Sequence, residues 1–217
     1  MFAPKIPRCK SDHRILISQK LSEEKMPRNQ FQRMVFAFIT VLITVHAYVF
    51  YSLYVLNGAA FIQGASALGV RTSSVIEAIN VLGGVTVFGR PLPIWAIVLI
   101  EFALAYLLEC TVGSPLSFKL ACRKFDPRQT HPVIFESVII NATVGIMCPA
   151  MSFLATFLYF PYAWEKLTIF TFLAHWAKLV IFNFPFAFFT QMFFIQPFVR
   201  FCFRRIFAKD IAMREKN

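Results

Sequence analysis

The sequence predicts an all-α integral membrane protein of four transmembrane helices, arranged as two parallel, same-orientation two-helix repeats. Three observations lead there. Of 217 residues, 58% are apolar and 15% are charged, whereas soluble domains run about 45–50% apolar and about 25% charged. The apolar residues gather in four continuous runs, each near the roughly 20 residues that a helix rising 1.5 Å per residue needs to cross a bilayer. Lys and Arg alternate between rich and poor in the segments flanking those runs. This composition excludes a soluble domain, a disordered chain and, with five Cys, a disulfide-stapled scaffold. A β-barrel would instead show alternating segments of about ten residues.

Residues 1–25 are polar and patternless, and are expected to be a disordered extension. Glu23-Glu24-Lys25 can be encoded only by purines, and Met26 follows at once. That resembles a ribosome-binding tract ahead of a start codon, so one expectation is a natural start at Met26, with residues 1–25 arising from a mis-called start. The net charge of +11 then falls by three. The other expectation is a short cytoplasmic extension.

The first span is read as Met34–Asn57, with no Asp, Glu, Lys or Arg inside it. No cleavage-site pattern accompanies it, so it is expected to remain as a span. The outer loop, 58–93, holds Ser74-Val75-Ile76-Glu77, a capping box, and an apolar stretch ending at Gly83-Gly84. It predicts a short helix over Val75–Leu82 lying on the membrane surface. The second span is read as Ile94–Val112, containing Glu101 and Glu109. The third is Ser137–Tyr159, with Pro149 inside it. The fourth is Leu173–Ile195, with Lys178 near one end and Pro185 within. Kinks are expected at the two prolines. The many Phe of the fourth span read as lipid-facing or packing groups. All four runs should be helical, because lipid offers the backbone no hydrogen-bond partner.

Orientation follows from the basic residues. Residues 1–33 hold eight Lys and Arg, the 58–93 loop two (Arg71, Arg90), and the 113–136 loop four (Lys119, Arg123, Lys124, Arg128). The 160–172 loop holds Lys166 alone, and the tail after Gln196 holds six. Both termini and the middle loop are therefore expected in the cytoplasm. Cys9, Cys122 and Cys202 fall on that reducing side and Cys110 and Cys148 within spans, so no disulfide is expected. The basic tail reads as contacting anionic lipid headgroups; a nucleic-acid partner is not expected.

The chain also aligns with itself. With Trp95-Ala96 set on Trp176-Ala177 and one gap allowed, Glu101 meets Asn183, Ala105 meets Ala187, Glu109 meets Gln191 and Pro115 meets Pro197. Phe31-Gln32 likewise meets Phe135-Glu136, running to Val55 with Tyr159. Each copy starts on the cytoplasmic side, so the repeats are parallel rather than inverted. The division is then 1–25 extension, 26–126 first two-helix repeat, 127–210 second repeat and 211–217 tail.

The segments MPRNQFQRMVFA, IEFALAYLLE, GSPLSFKLA, HPVIFE, MSFLATFLY and NFPFAFFTQMFFIQPFVRFCFRRIF together resemble the bacterial membrane protein family called domain of unknown function 2798. The most specific stretch starts at Asn183 and runs through Pro185, Gln191, Pro197 and Arg200 to Arg205. The resemblance covers about residues 26–210 and implies two tandem copies of a two-helix unit. It brings no activity with it, only fold and topology. A bacterial chain of this topology would sit in the cytoplasmic (inner) membrane with both termini cytoplasmic.

Candidate functional residues are the polar groups within the spans. A charge at the depth of Glu101 costs about 2.5–3.5 kcal/mol on insertion scales, which the large apolar residues around it offset. His46 lies at a similar depth and Lys178 about one turn shallower, with a stem long enough to reach inward. His46, Glu101 and Lys178 form a candidate intramembrane cluster, either a proton-coupled or cation site or a buried group that fixes helix pairing. Glu109, Asn141, Asn183 and Gln191 are candidates for interhelical hydrogen bonds. No CxxC or HExxH pattern occurs, the four His are scattered, and there is no phosphate-binding glycine loop. No catalytic residue, metal or cofactor is therefore expected, and the protein is not expected to be an enzyme. The partners expected are the lipid bilayer and anionic headgroups. The function expected is non-enzymatic: structural, sensing or partner-modulating. The alternative is a small transporter or exporter using the intramembrane Glu, for which a homodimer is one assembly.

Overall fold

The computed structural model describes residues 29–126, 130–159 and 168–208; the 1–25 extension and the 211–217 tail lie outside them. Four helices are long and apolar enough to cross a membrane, as the composition demands, and this makes the chain an integral membrane protein by length and hydropathy. Helix α1 is Gln30–Phe50, closing in a π-helical turn over Tyr51–Leu56. Helices α2 (Gly58–Ala67) and α3 (Val75–Val81) follow, then a hairpin of β1 (Val85–Val87) and β2 (Arg90–Leu92). Helix α4 runs from Ile94 to Lys124, α5 from Pro132 to Tyr159, and α6 from Ile169 to Ile206.

The spanning helices outrun the expected spans at the basic ends. The 31 and 38 residues of α4 and α6 measure about 46 and 57 Å at 1.5 Å per residue, against a hydrocarbon core of about 30 Å. Nothing ends a helix where the lipid ends, so both continue until Arg123-Lys124 and Arg204-Arg205 occupy their last turns. Those cations face the partial negative charge of the helix C-terminus.

Helix assignment is unbroken through Pro149 and Pro185. The register changes elsewhere, at Glu109–Gly113 in α4 and Gln191–Ile195 in α6, both π-helical. Pro115 and Pro197 follow two residues after these turns. Each proline lacks an N–H and crowds the carbonyl four residues back, which lies inside the π turn. The wider turn relieves that crowding.

Between α1 and α4 the chain builds a cap richer than the single helix expected. Helix α3 matches the prediction closely: the Ser74 side chain accepts from the Glu77 N–H. It ends at Leu82, where Gly84 N–H donates to Ile79 O at 2.9 Å and Gly83 N–H to Asn80 O at 3.1 Å, with Gly83 at φ 79°. This is a Schellman ending, which needs a residue free to adopt positive φ. The hairpin was not anticipated. Its strands pair Val85 with Leu92 and Val87 with Arg90. Its turn places Phe88 (φ 48°) and Gly89 (φ 76°) in the left-handed region. Phe88 is held there by its ring, 5.6 Å edge-on to Phe157, and by its N–H, which donates to Leu158 O at 3.2 Å. The hairpin thus supplies a donor to the last turn of α5.

Helix α1 packs on the first half of α4, and α5 on α6 along their length. The second half of α4 packs on α5, and the last part of α6 packs on α1. The four helices so form a closed ring of contacts. Val41, Val45, Val49 and Leu53 make a stripe on α1 that is buried against Ile97 and Ala105 of α4 and continues into the cap at Ile79. A smaller core joins Val144 and Cys148 of α5 to Ala187 of α6, with Tyr48 of α1 against it. Most remaining apolar side chains face outward, Phe189, Phe193 and Phe194 of α6 among them, as lipid allows.

Candidate functional site

The intramembrane polar residues fall into two layers. The first lies in the half of the bundle nearer the cap. Glu101 occupies the middle of the first part of α4, and the last residue of α5, Tyr159, donates its hydroxyl to Glu101 Oε1 at 2.7 Å. Across the bundle, Asn183 Nδ2 donates to Ser152 Oγ on α5 at 3.4 Å. Tyr48 and Tyr51 of α1 donate to Asn183 O at 3.4 Å and Phe182 O at 3.3 Å. These carbonyls stand in the turn before Pro185, whose ring disturbs the normal ladder there. Phe186 stacks on Tyr51 at 4.0 Å and meets Tyr48 edge-on at 5.4 Å, which holds both phenols in place. Trp176 Nε1 donates to Pro149 O at 2.9 Å, joining α6 to α5 beside the other intrahelical proline.

The second layer is at the π turns. Glu109 opens one and Gln191 opens the other. Ser114 Oγ donates to Glu109 Oε1 at 2.6 Å, and Gln196 Nε2 donates to Gln191 Oε1 at 3.4 Å. Both bonds span five residues. The backbone does the same: Ser114 N–H reaches Glu109 O and Gln196 N–H reaches Gln191 O. Gln191 also donates from Nε2 to Thr44 Oγ1 on α1 at 2.8 Å. Glu109 folds over Gly113, where a Cβ would stand 2.6 Å from Glu109 Oε2 and 2.8 Å from Met147 Sδ of α5. Only a glycine leaves that space for the carboxylate and the thioether together. Nearer the basic end, Arg200 of α6 pairs with Glu136 of α5.

The three residues expected to cluster are not joined. Glu101 turns to Tyr159. His46 is exposed on α1, with Nδ1 2.7 Å from Leu42 O of its own helix. Lys178 is exposed on α6. No hydrogen bond or ion pair among the described residues links any two of them. The reason is angular: equal depth says nothing of azimuth, and the inward stripe of α1 runs through Val45 and Val49, while His46, the residue after Val45, is turned about 100° away from it. Of the four interhelical candidates, Asn183 and Gln191 do bridge helices. Glu109 bonds within α4 instead, because the π turn brings Ser114 beneath it. Asn141 is exposed and makes no side-chain hydrogen bond to a described residue.

Sequence reasoning missed Tyr159, Ser152, Thr44, Tyr48, Ser114 and the Glu136–Arg200 pair. Ser152 and Thr156 sit four and eight residues after Cys148 on its buried stripe, so hydroxyls followed at that spacing would have revealed one of them. Every buried side-chain nitrogen or oxygen among the described residues has a hydrogen-bond partner. No group of three or more His, Cys, Asp or Glu among them is placed to hold a metal ion.

Fold and site together define a polytopic α-helical membrane protein whose intramembrane polar groups are bonded partly within their own helix and partly to neighbouring helices. Residues 131–207, which include all of α5 and α6, match the family described as Domain of unknown function (DUF2798). One copy is found rather than the tandem pair that the resemblance implied. No curated protein and no solved structure matches the chain.

Proposed function

We propose that this chain is a non-enzymatic protein of the bacterial inner membrane that scaffolds, senses or modulates a partner, built from two parallel copies of a two-helix unit with both termini cytoplasmic. The observation that carries the reading is the complete pairing of buried polar side-chain atoms among the described residues. Polar groups held for transport would be left open to a substrate. Here Glu101, Asn183 and Gln191 are each taken up by a neighbouring helix.

The duplication has support beyond the sequence alignment. The two π turns begin at the aligned residues Glu109 and Gln191 and precede the aligned prolines 115 and 197. The buried Ala105, Gly113, Ser117 and Ala121 of α4 correspond, 82 residues on, to the buried Ala187, Ile195, Val199 and Phe203 of α6. The buried stripe Val41, Val45, Val49, Leu53 recurs 103 residues on as Val144, Cys148, Ser152, Thr156. That register is one residue shorter than the alignment of Val55 with Tyr159. The ring of contacts, in which the end of each second helix meets the first helix of the other pair, suits two units related by an axis along the membrane normal. The orientation rests on the basic residues at the ends of α4 and α6.

A second reading, a small proton- or cation-coupled transporter, draws on one observation. The first unit carries carboxyls at Glu101 and Glu109 where the second carries the amides Asn183 and Gln191. Glu101→Gln separates the readings. It keeps an oxygen to accept from Tyr159 and removes the titratable group. The non-enzymatic reading expects unchanged assembly and unchanged proton-driven flux in membrane vesicles. Lost flux in a folded variant overturns it.

A further inference from the structure

Among the hydrogen-bonding side chains exposed at membrane depth are His46, Lys178 and Asn141. Two have an outlet. The His46 ring meets the Leu42 carbonyl, and the Lys178 stem is long enough to carry its ammonium toward the surface. The Asn141 side chain is too short to leave. It lies nine residues into α5, about 13 Å along the helix, and four residues inside the expected span Ser137–Tyr159, within the hydrocarbon. Lipid tails offer its carboxamide no donor or acceptor, and a polar group left unpaired there costs free energy.

We propose that the face of α5 around Asn141 is the seat of a second copy of this chain, packed about a two-fold axis with carboxamide against carboxamide. The complementarity is built into the group: an amide carries both donors and an acceptor, so it satisfies its own copy across a two-fold. The surface beside it suits a close helix pair. Gly145, one turn on, has nothing within 4 Å of where a Cβ would stand, so another backbone can approach there. Ile134, Val138, Asn141 and Gly145 follow one another at intervals of four, three and four, the spacing of a helix–helix seam. An Asn within such a seam fixes its register and the number of strands.

The face occurs once per chain. Helix α1 carries a matching buried stripe 103 residues earlier, and the place of Asn141 there is taken by Phe38, whose ring packs edge-on to Phe102 and Tyr106 at 5.2 and 6.0 Å. One self-complementary face per protomer closes on a dimer and does not propagate. The inference rests on α5 crossing the membrane, as the proposed function does. Its test reads self-pairing, not flux or partner modulation, so either can fail alone.

The test is disulfide trapping in native membranes, using a chain whose five native cysteines are replaced. Val138→Cys, on the same seam with Asn141 left in place, should give an oxidised band at about 50 kDa, twice the 24.9 kDa of the chain, while Leu99→Cys, on the exposed face of α4, should stay monomeric. A monomeric Val138→Cys, equal trapping at both positions, or a band whose mass requires a different protein overturns the proposal. A second measurement avoids cysteines: the mass distribution of the intact chain in lipid nanodiscs. The wild type should be dimeric, and Asn141→Leu and Gly145→Ile should each shift it at least tenfold toward monomer, with the melting temperature of the monomer unchanged. A monomeric wild type, or a dimer that survives both substitutions, overturns the proposal as well.

Discussion

Replacing Tyr159 by Phe removes one hydroxyl from the contact between α4 and α5 and leaves the ring in place. The structure sets the size of the effect. The bond to Glu101 Oε1 is 2.7 Å long and lies in a half-buried setting at the end of α5. Interhelical hydrogen bonds in membrane proteins average about 0.6 kcal/mol and reach about 1.7 kcal/mol. A short bond to a carboxyl belongs at the upper end, so Tyr159→Phe should destabilise by about 1.5 kcal/mol. Glu101→Leu should cost about as much, since it leaves the phenol unpaired. The double variant should lose less than the sum, because removing both partners leaves nothing unsatisfied. The coupling energy from the four-member cycle should therefore be about 1–1.5 kcal/mol. It is measured by reversible unfolding in mixed micelles, following helicity and the fluorescence of the three tryptophans. Coupling below about 0.3 kcal/mol, within the error of additive sites, would refute the reasoning, for it would mean that the contact does not join the helices.

Other outcomes follow from the same geometry. Glu109→Gln should change stability by less than about 0.5 kcal/mol in the same unfolding assay, since an amide oxygen accepts from Ser114 as Gln191 accepts from Gln196. Glu109→Leu should cost about 1 kcal/mol, the ordinary net worth of a lost hydrogen bond; equal losses from both would count against a purely structural carboxyl. Gly84→Ala puts a Cβ 2.2 Å from the Leu92 carbonyl oxygen at φ 130°, and the atom in the way is backbone. The hairpin should open at a cost above about 3 kcal/mol, read as faster amide exchange over residues 85–92, and normal protection there would contradict the packing. Arg200→Met should cost about 2 kcal/mol, and adding Glu136→Leu should recover at least half of it, because the harm lies in a carboxylate that has lost the Arg200 guanidinium. A double variant as unstable as Arg200→Met alone would show that the pair is not coupled.

The cap shows where a sequence can be read locally and where it cannot. Ser74, Glu77 and the Gly83-Gly84 pair act on backbone atoms within a few residues of themselves, so α3 and its ending were legible in advance. The hairpin is two strands of three residues, too short for an alternation to stand out. Its turn places a Phe at positive φ, which local preference argues against. Phe157 and Leu158, some seventy residues away, supply what the turn needs.

By itself, then, the sequence determined that there are four helices long and apolar enough to cross a membrane, roughly where they start and how far along its helix each polar residue lies, because hydrophobic length and rise per residue are properties of a single segment. Only the tertiary structure decided which residues at a given depth meet. Glu101 faces Tyr159 rather than His46 or Lys178, and Gln191 faces Thr44, because pairing depends on how each helix is rotated about its own axis. That rotation is set jointly by the stripe buried on each neighbour and by the π turns before Pro115 and Pro197, each of which inserts an extra residue and turns everything beyond it by about 100°.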